Sequence, residues 1–484
     1  MVSAWGGSSG SVRGANQLVE GDSLHQGAVR FVCAVLVGCG TAFAAESQGL
    51  RAAADRVRTR DQMTYEGLVE SQDDRWVNLI QIHRNRSRTH LVVRPLERSR
   101  VAEVIYAEQT DRDRLRAEID AFRNRASIEA ARMEAVPLRV ESRDGGSFFC
   151  YDGKWFSLRS SLPENVSRQV VVRLEQVFTA YRQMLPPRAE PARPPEVAVF
   201  GTLSAYHDFL SRRGVRNDRS ALFLPEQNLV AAGSDLNRSA AQLEQYRQDH
   251  ARLLDELRRL ERDLRPRLNE SAARMQRAGV SPDEIGKSLA ATRRQLEKEI
   301  ADKRVEVQRA DRRNEELFGR LAGRMFAQLY HEAFHAYLEN FVYPRGRFAV
   351  PLWLNEGLAQ LFETAEPQSG TLRIDAIDAD RLGRLAADLN GDNALRIREV
   401  LAAGPESFLD RQRGRQFYLY AYALAYYLAF ETGSFSAARL DDYVCPASAS
   451  ATPTERFVRL VGDELESFES RWRQWVIQQR RQKG

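Results

Sequence analysis

The chain has 484 residues and a formal net charge of +5, with 28% charged and 43% hydrophobic side chains. That length suits two or three domains, at least one with a full core. The small charge, on dispersed arginines balanced by acids, argues against nucleic acid or a membrane surface as partner.

At the N-terminus, Phe31 to Ala45 ("FVCAVLVGCGTAFAA") is a short apolar run behind Arg30 that ends in Ala42-Phe43-Ala44. A basic flank, a hydrophobic segment too short to span a bilayer and a small-x-small site form a secretory signal pattern, so residues 1–45 read as a signal peptide. "LVGC" (Leu36 to Cys39) also fits a lipoprotein box, so lipid anchoring at Cys39 stands as the alternative to soluble export to the periplasm or the extracellular space. No later run is long enough to cross a membrane. Export leaves Cys150 and Cys445 in the mature chain, as one disulfide or two separate thiols.

"MTYEGLVES", "WVNLIQIH" and "THLVVRPL" read as strands of a small β module over residues 55–108, with an SH3-like barrel as one form it could take. A charged helical connector follows over 109–135. A hairpin, a helix from about Pro163 to Met184, and the strands "EVAVF", "ALFLP" and "NLVAAG" then fill 136–235. The last two strands are spaced as a hairpin around Pro225 to Gln227. Residues 236–318 turn rich in Arg, Glu, Leu, Ala and Gln. Leucines at three- and four-residue steps, and Ser281-Pro282 as a helix start, predict an antiparallel, coiled-coil-like helical hairpin. It is either a spacer or a surface for a protein partner, and Pro266 should kink its first arm.

The chemistry concentrates in 319–480. "LYHEAFHAYLEN" lies on an apolar-periodic helix, which puts His331 and His335 one turn apart on one face. Two imidazole nitrogens can then meet one ion, while the offset Glu332 reaches a water rather than the metal. The pattern alone is also met by core histidines beside a charge. No histidine follows His335, so a third ligand must be a carboxylate. Glu356, in the apolar helix "PLWLNEGLAQLF", is the candidate, because an unpaired buried carboxylate costs several kcal/mol.

"HEAFH" followed by "WLNEGLA" resembles the gluzincin metallopeptidases of the peptidase MA-like superfamily, in particular exported bacterial members of uncharacterised function. The resemblance covers roughly 136–235 and 320–475, with the helical hairpin as an insertion. It implies an α+β protein whose mainly helical catalytic core abuts a β-rich lobe. It also implies a zinc ion on His331, His335 and Glu356, with Glu332 as general base and acid. The activity implied is hydrolysis of peptide or protein substrates through a zinc-bound water. Tyr418, which precedes the small Ala421 by three residues, would donate to the developing oxyanion, with Tyr422 as second choice; core packing competes for every tyrosine of "RQFYLYAYALAYYLAF". Family members often carry an acid one turn past the ligating glutamate, where this chain has Gln360. Glu339 and Glu363 could substitute, but as charged helix residues both read as solvated. The rival reading is a non-catalytic, peptidase-like binding or scaffold protein of the cell envelope.

Overall fold

The computed structural model describes residues 53–84, 89–143, 146–368, 372–445 and 450–481, so the signal-like stretch and Cys39 lie outside the described residues. The fold is α+β, with two larger sheets and long helices. Five strands open it: β1 (Asp55–Thr59), β2 (Thr64–Gln72), β3 (Trp76–Arg84), β4 (Thr89–Glu97) and β5 (Val101–Ile105). They form an antiparallel sheet of order β4-β3-β2-β1-β5. β4 and β5 stand at opposite ends of that order, yet a single 3-10 turn, Arg98–Arg100, joins them. The sheet must therefore curl over its small core of Val57, Val69, Val77, Leu79 and Val101. The sequence signals only β2, β3 and β4. β1, "DRVRT", alternates buried and exposed residues but has a single large apolar side chain to announce it.

Where one charged connector helix is read from sequence, there are two, α1 (Gln109–Arg123) and α2 (Arg125–Glu134), broken at Asn124. Strands β6 (Arg139–Arg143), β7 (Gly146–Asp152) and β8 (Ser157–Ser160) lead into helix α3 (Glu164–Met184). Strand β9 (Glu196–Phe200), helix α4 (Leu203–Ser211), and strands β10 (Ala221–Leu224) and β11 (Leu229–Gly233) complete a six-stranded mixed sheet of order β10-β11-β9-β8-β7-β6. β10 is an end strand. It turns into β11 over Pro225–Gln227, with Asn228 in the left-handed region at φ 51°.

The hairpin arms are α5 (Leu236–Arg277) and α6 (Pro282–Tyr337), of 42 and 56 residues. Ser281 caps α6 with its side-chain oxygen, and α5 is one continuous helix through Pro266. The hairpin has few buried positions, Leu257, Leu264, Ile300 and Val307 among them, whereas from Met325 onward nearly every residue of α6 is buried. One helix thus begins as a solvated arm and ends as the central rod of the core.

Around that rod pack α3 and α7 (Leu352–Glu363). Tyr181 of α3 donates to the Tyr330 carbonyl at 2.5 Å, and its ring meets those of Phe334 and Phe362 at 5.3 and 4.5 Å. The chain closes with the short strands β12 (Glu366–Pro367) and β13 (Leu372–Arg373), then α8 (Ala379–Leu389), α9 (Ile397–Ala402), α10 (Pro405–Leu409), α11 (Gly414–Tyr426), α12 (Ala437–Val444), α13 (Pro453–Val461) and α14 (Leu465–Arg481). Among the described residues no helix is long and apolar enough to cross a membrane. Cys150 and Cys445 are both free thiols, which settles the disulfide alternative.

Helix α7 crosses α11 in close contact because Gly357 has no side chain. A β-carbon there would stand 2.4 Å from the Ala421 carbonyl oxygen and 2.9 Å from the Ala425 β-carbon. Gly357→Ala should therefore destabilise the fold: overpacking, typically 1–3 kcal/mol, outweighs the roughly 1 kcal/mol that alanine gains in a helix. A lowered thermal midpoint in calorimetry is the expected result.

Candidate metal centre

The buried face of α6 uses Tyr330, Ala333, Phe334 and Tyr337 for packing, and the opposite turn presents His331, Glu332 and His335, each at most 8% exposed. Glu356 reaches them from α7. Its Oε2 lies 3.2 Å from His331 Nε2 and its Oε1 lies 3.7 Å from His335 Nε2, while the two Nε2 atoms are 3.1 Å apart. His331, His335 and Glu356 form a group that could hold a metal ion.

Both rings are anchored through their other nitrogen. His331 Nδ1 meets Glu363 Oε1 at 2.6 Å and His335 Nδ1 meets Asn355 Oδ1 at 2.8 Å. With Nδ1–H donating to these oxygens, both Nε2 lone pairs face the gap that Glu356 faces. Three acceptors around one point repel unless a positive charge lies between them. Glu356 Oε2 has no hydrogen-bond partner despite its burial.

The dimensions fit a tetrahedral ion. Ligand bonds of ~2.0–2.1 Å imply edges of about 3.3 Å between ligand atoms; the two Nε2 atoms at 3.1 Å and His331 Nε2 to Glu356 Oε2 at 3.2 Å are close to that, while His335 Nε2 is nearest to the other oxygen, Oε1, at 3.7 Å. Without a metal, a proton supplies the charge. Burial pushes His331 down, but the Glu356 and Glu363 carboxylates hold it up at about 10. Burial raises Glu356, yet the two histidines and Arg219 bring it down to about 2.

Glu363 is not solvated, as its charge suggested. It sits two helical turns past Glu356 on the same face, and its second oxygen takes 2.7 Å from Arg381 Nη2. Burial opposes its ionisation, but His331 and Arg381 keep its carboxyl below the usual range. Glu339 is half-buried and pairs with Arg345 at 2.8 Å. Gln360, at the departure from the family pattern, holds backbone: its amide donates to the Glu356 and Tyr418 carbonyls at 3.2 and 3.1 Å, and its oxygen accepts from Arg381 at 3.1 Å.

Glu332 stands outside the trio. Its Oε2 accepts from the Phe223 amide of end strand β10 at 2.8 Å. The Gly233 amide takes the Ser220 carbonyl, so Ser220, Leu222 and Leu224 turn their peptide groups to β11. Ala221 and Phe223 turn theirs to the open edge beside Glu332.

The tyrosines of α11 separate by location. Tyr420 bonds Asp388, Tyr426 the Asp375 carbonyl, and fully buried Tyr422 accepts from the Asp378 amide at 2.9 Å. Only Tyr418 of these lies against the site: its hydroxyl accepts from Arg219 Nη2 at 3.0 Å. Burial and the charges of Glu356 and Glu332 push its pKa up and keep the hydroxyl protonated, against Arg219. Arg219 and Arg381 carry no local sequence signal of their own, since each joins the site only through the fold; Asn355 lies inside the "WLNEGLA" motif, but its role toward His335 shows only in the structure.

Residues 325–440, which contain all three acceptors, Glu332 and Tyr418, match the model of a family described as a protein of unknown function, DUF1570. No curated protein matches the chain.

Two outcomes are expected. Glu363→Ala should weaken the binding of an added divalent metal about 10- to 100-fold by freeing the His331 ring, as read by competition with a chromogenic chelator. Metal uptake at neutral pH should release a proton from the histidine pair, since an ion replaces it. Calorimetry in two buffers of different ionisation enthalpy checks this.

Proposed function

We propose that this chain is an exported zinc-dependent peptidase of the gluzincin type. The single observation that carries the reading is the meeting of two imidazole Nε2 atoms and a carboxylate closely enough to share one metal ion, with Glu332 held beside them but off the trio. Zinc bound there would supply a Lewis acid that lowers the pKa of water to about 7.

The chain's own residues divide the remaining work. Glu332, fixed through Oε2, has Oε1 with which to take a proton from the attacking water and return it to the leaving amine. Tyr418 donates to the carbonyl oxygen as negative charge grows there. Its oxygen already accepts from Arg219, so its own proton is directed elsewhere. The Ala221 peptide group and the Phe223 carbonyl, turned away from β11, suit pairing with an extended substrate, whose scissile bond they would set beside Glu332, while the Phe223 N–H stays with Glu332. The match to an uncharacterised family over the stretch holding these residues is compatible with this role.

Purified protein should contain one zinc per chain by elemental analysis, and His335→Ala should lose it. Glu332→Gln should keep the zinc and lose at least about 100-fold of chelator-sensitive cleavage of a peptide library. Cleavage at the parent rate by Glu332→Gln rules out the mechanism. Zinc without any cleavage favours the scaffold reading.

A further inference from the structure

The cations around the site are paired, with one exception. Arg381 is neutralised by Glu363 at 2.7 Å and Asp378 at 3.5 Å, and Arg345 by Glu339 and Glu226. Arg219, in the exposed loop of residues 212–220 between α4 and β10, has no carboxylate partner among the described residues. Its Nη2 donates to Tyr418, its guanidinium lies 5.8 Å from that ring's centre, and Asn217 Oδ1 takes its backbone amide at 3.0 Å. Glu332 and Glu356 act on it only through space.

Contact, rather than net charge, sets Arg219 apart. Arg381 meets two carboxylates, Glu363 and Asp378, and Arg345 meets Glu339 and Glu226, whereas the Arg219 guanidinium contacts Tyr418 and no carboxylate among the described residues. Arg219 also stands two residues before Ala221, where the open edge of β10 begins. One guanidinium donor is engaged by Tyr418, and the others form a fork suited to a planar carboxylate.

We propose that Arg219 recognises a carboxylate of the substrate, either a free C-terminus or an Asp or Glu side chain near the scissile bond. This rests on the peptidase reading but is tested by binding rather than turnover. The protein is the full chain carrying Glu332→Gln and loaded with zinc, and the probes are fluorescein-labelled hexapeptides read by anisotropy. One series is neutral and amidated, a second is the same with a free C-terminus, and a third is amidated with Asp or Glu at each position. Peptides of one carboxylate series should bind at least about tenfold tighter than the neutral series, and which series does so identifies the source.

Arg219→Gln should bring that preference below about twofold. Arg216→Gln, on the same exposed loop, and Tyr418→Phe, which keeps the guanidinium, should retain it, with thermal midpoints confirming that all variants fold. No preference in the parent, or a preference that survives Arg219→Gln, overturns the proposal. Cleavage by the wild type separates the two readings. Chelator-sensitive cleavage without a carboxylate preference sinks this inference alone, and Arg219-dependent binding without cleavage sinks hydrolysis alone.

Discussion

Mutual repulsion among three lone-pair-bearing atoms is the constraint around which this site is organised. Two imidazole nitrogens and a carboxylate are held 3.1 to 3.7 Å apart in a region largely closed to solvent. Such an arrangement persists only if something cationic shares the gap or if the scaffold holds the groups there by force. The scaffold contributes heavily. Tyr181, Phe334 and Phe362 lock the back of α6 to α3 and α7, and Gly357 lets α7 pack directly onto the backbone of α11. The rings cannot swing apart, because Glu363 and Asn355 hold each from behind.

This explains why the site occupies the meeting of three elements rather than one motif. The α6 turn supplies rings whose separation is set by helix geometry. Helix α7 supplies both a carboxylate to the front and, two turns later, another to the rear of His331. Strand β10 supplies an amide to Glu332, keeping that carboxylate available without letting it join the trio. Each charge near the gap therefore has a separate task, assigned by which backbone it meets.

The sequence makes part of this legible, for identifiable reasons. His331, Glu332 and His335 stand out because their spacing matches one helical turn, and Glu356 because a carboxylate amid Leu354, Gly357, Leu358 and Leu361 needs a partner. The hairpin shows in its leucine steps and in Ser281-Pro282, and the β10–β11 turn in Pro225. Glu363 was hidden by its place at a helix end, where an acid ordinarily faces water. Arg219 lies in the polar stretch "GVRNDRS", which has no periodicity, and only the path of the chain from α4 to β10 brings it to Tyr418. Strands β1 and β5 are five residues each, β1 mostly charged and β5 an apolar stretch cut by Glu103 and too short to stand out, so their pairing completes the sheet where composition does not announce it.

Helix α6 has one further implication. It runs unbroken from Pro282 at the hairpin turn to Tyr337, so the turn and the histidines share one rod of about 84 Å. A load applied at the far end would bend the whole shaft unless some segment yields first. Gly319 and Gly323 lie on the shaft a turn before it enters the core, and a β-carbon at either would meet no other part of the fold. Neither is small for want of space, and each weakens the helix by about 1 kcal/mol relative to alanine. The pair therefore makes the shaft more compliant where it enters the buried core, so that strain on the exposed arm is taken up ahead of the histidines.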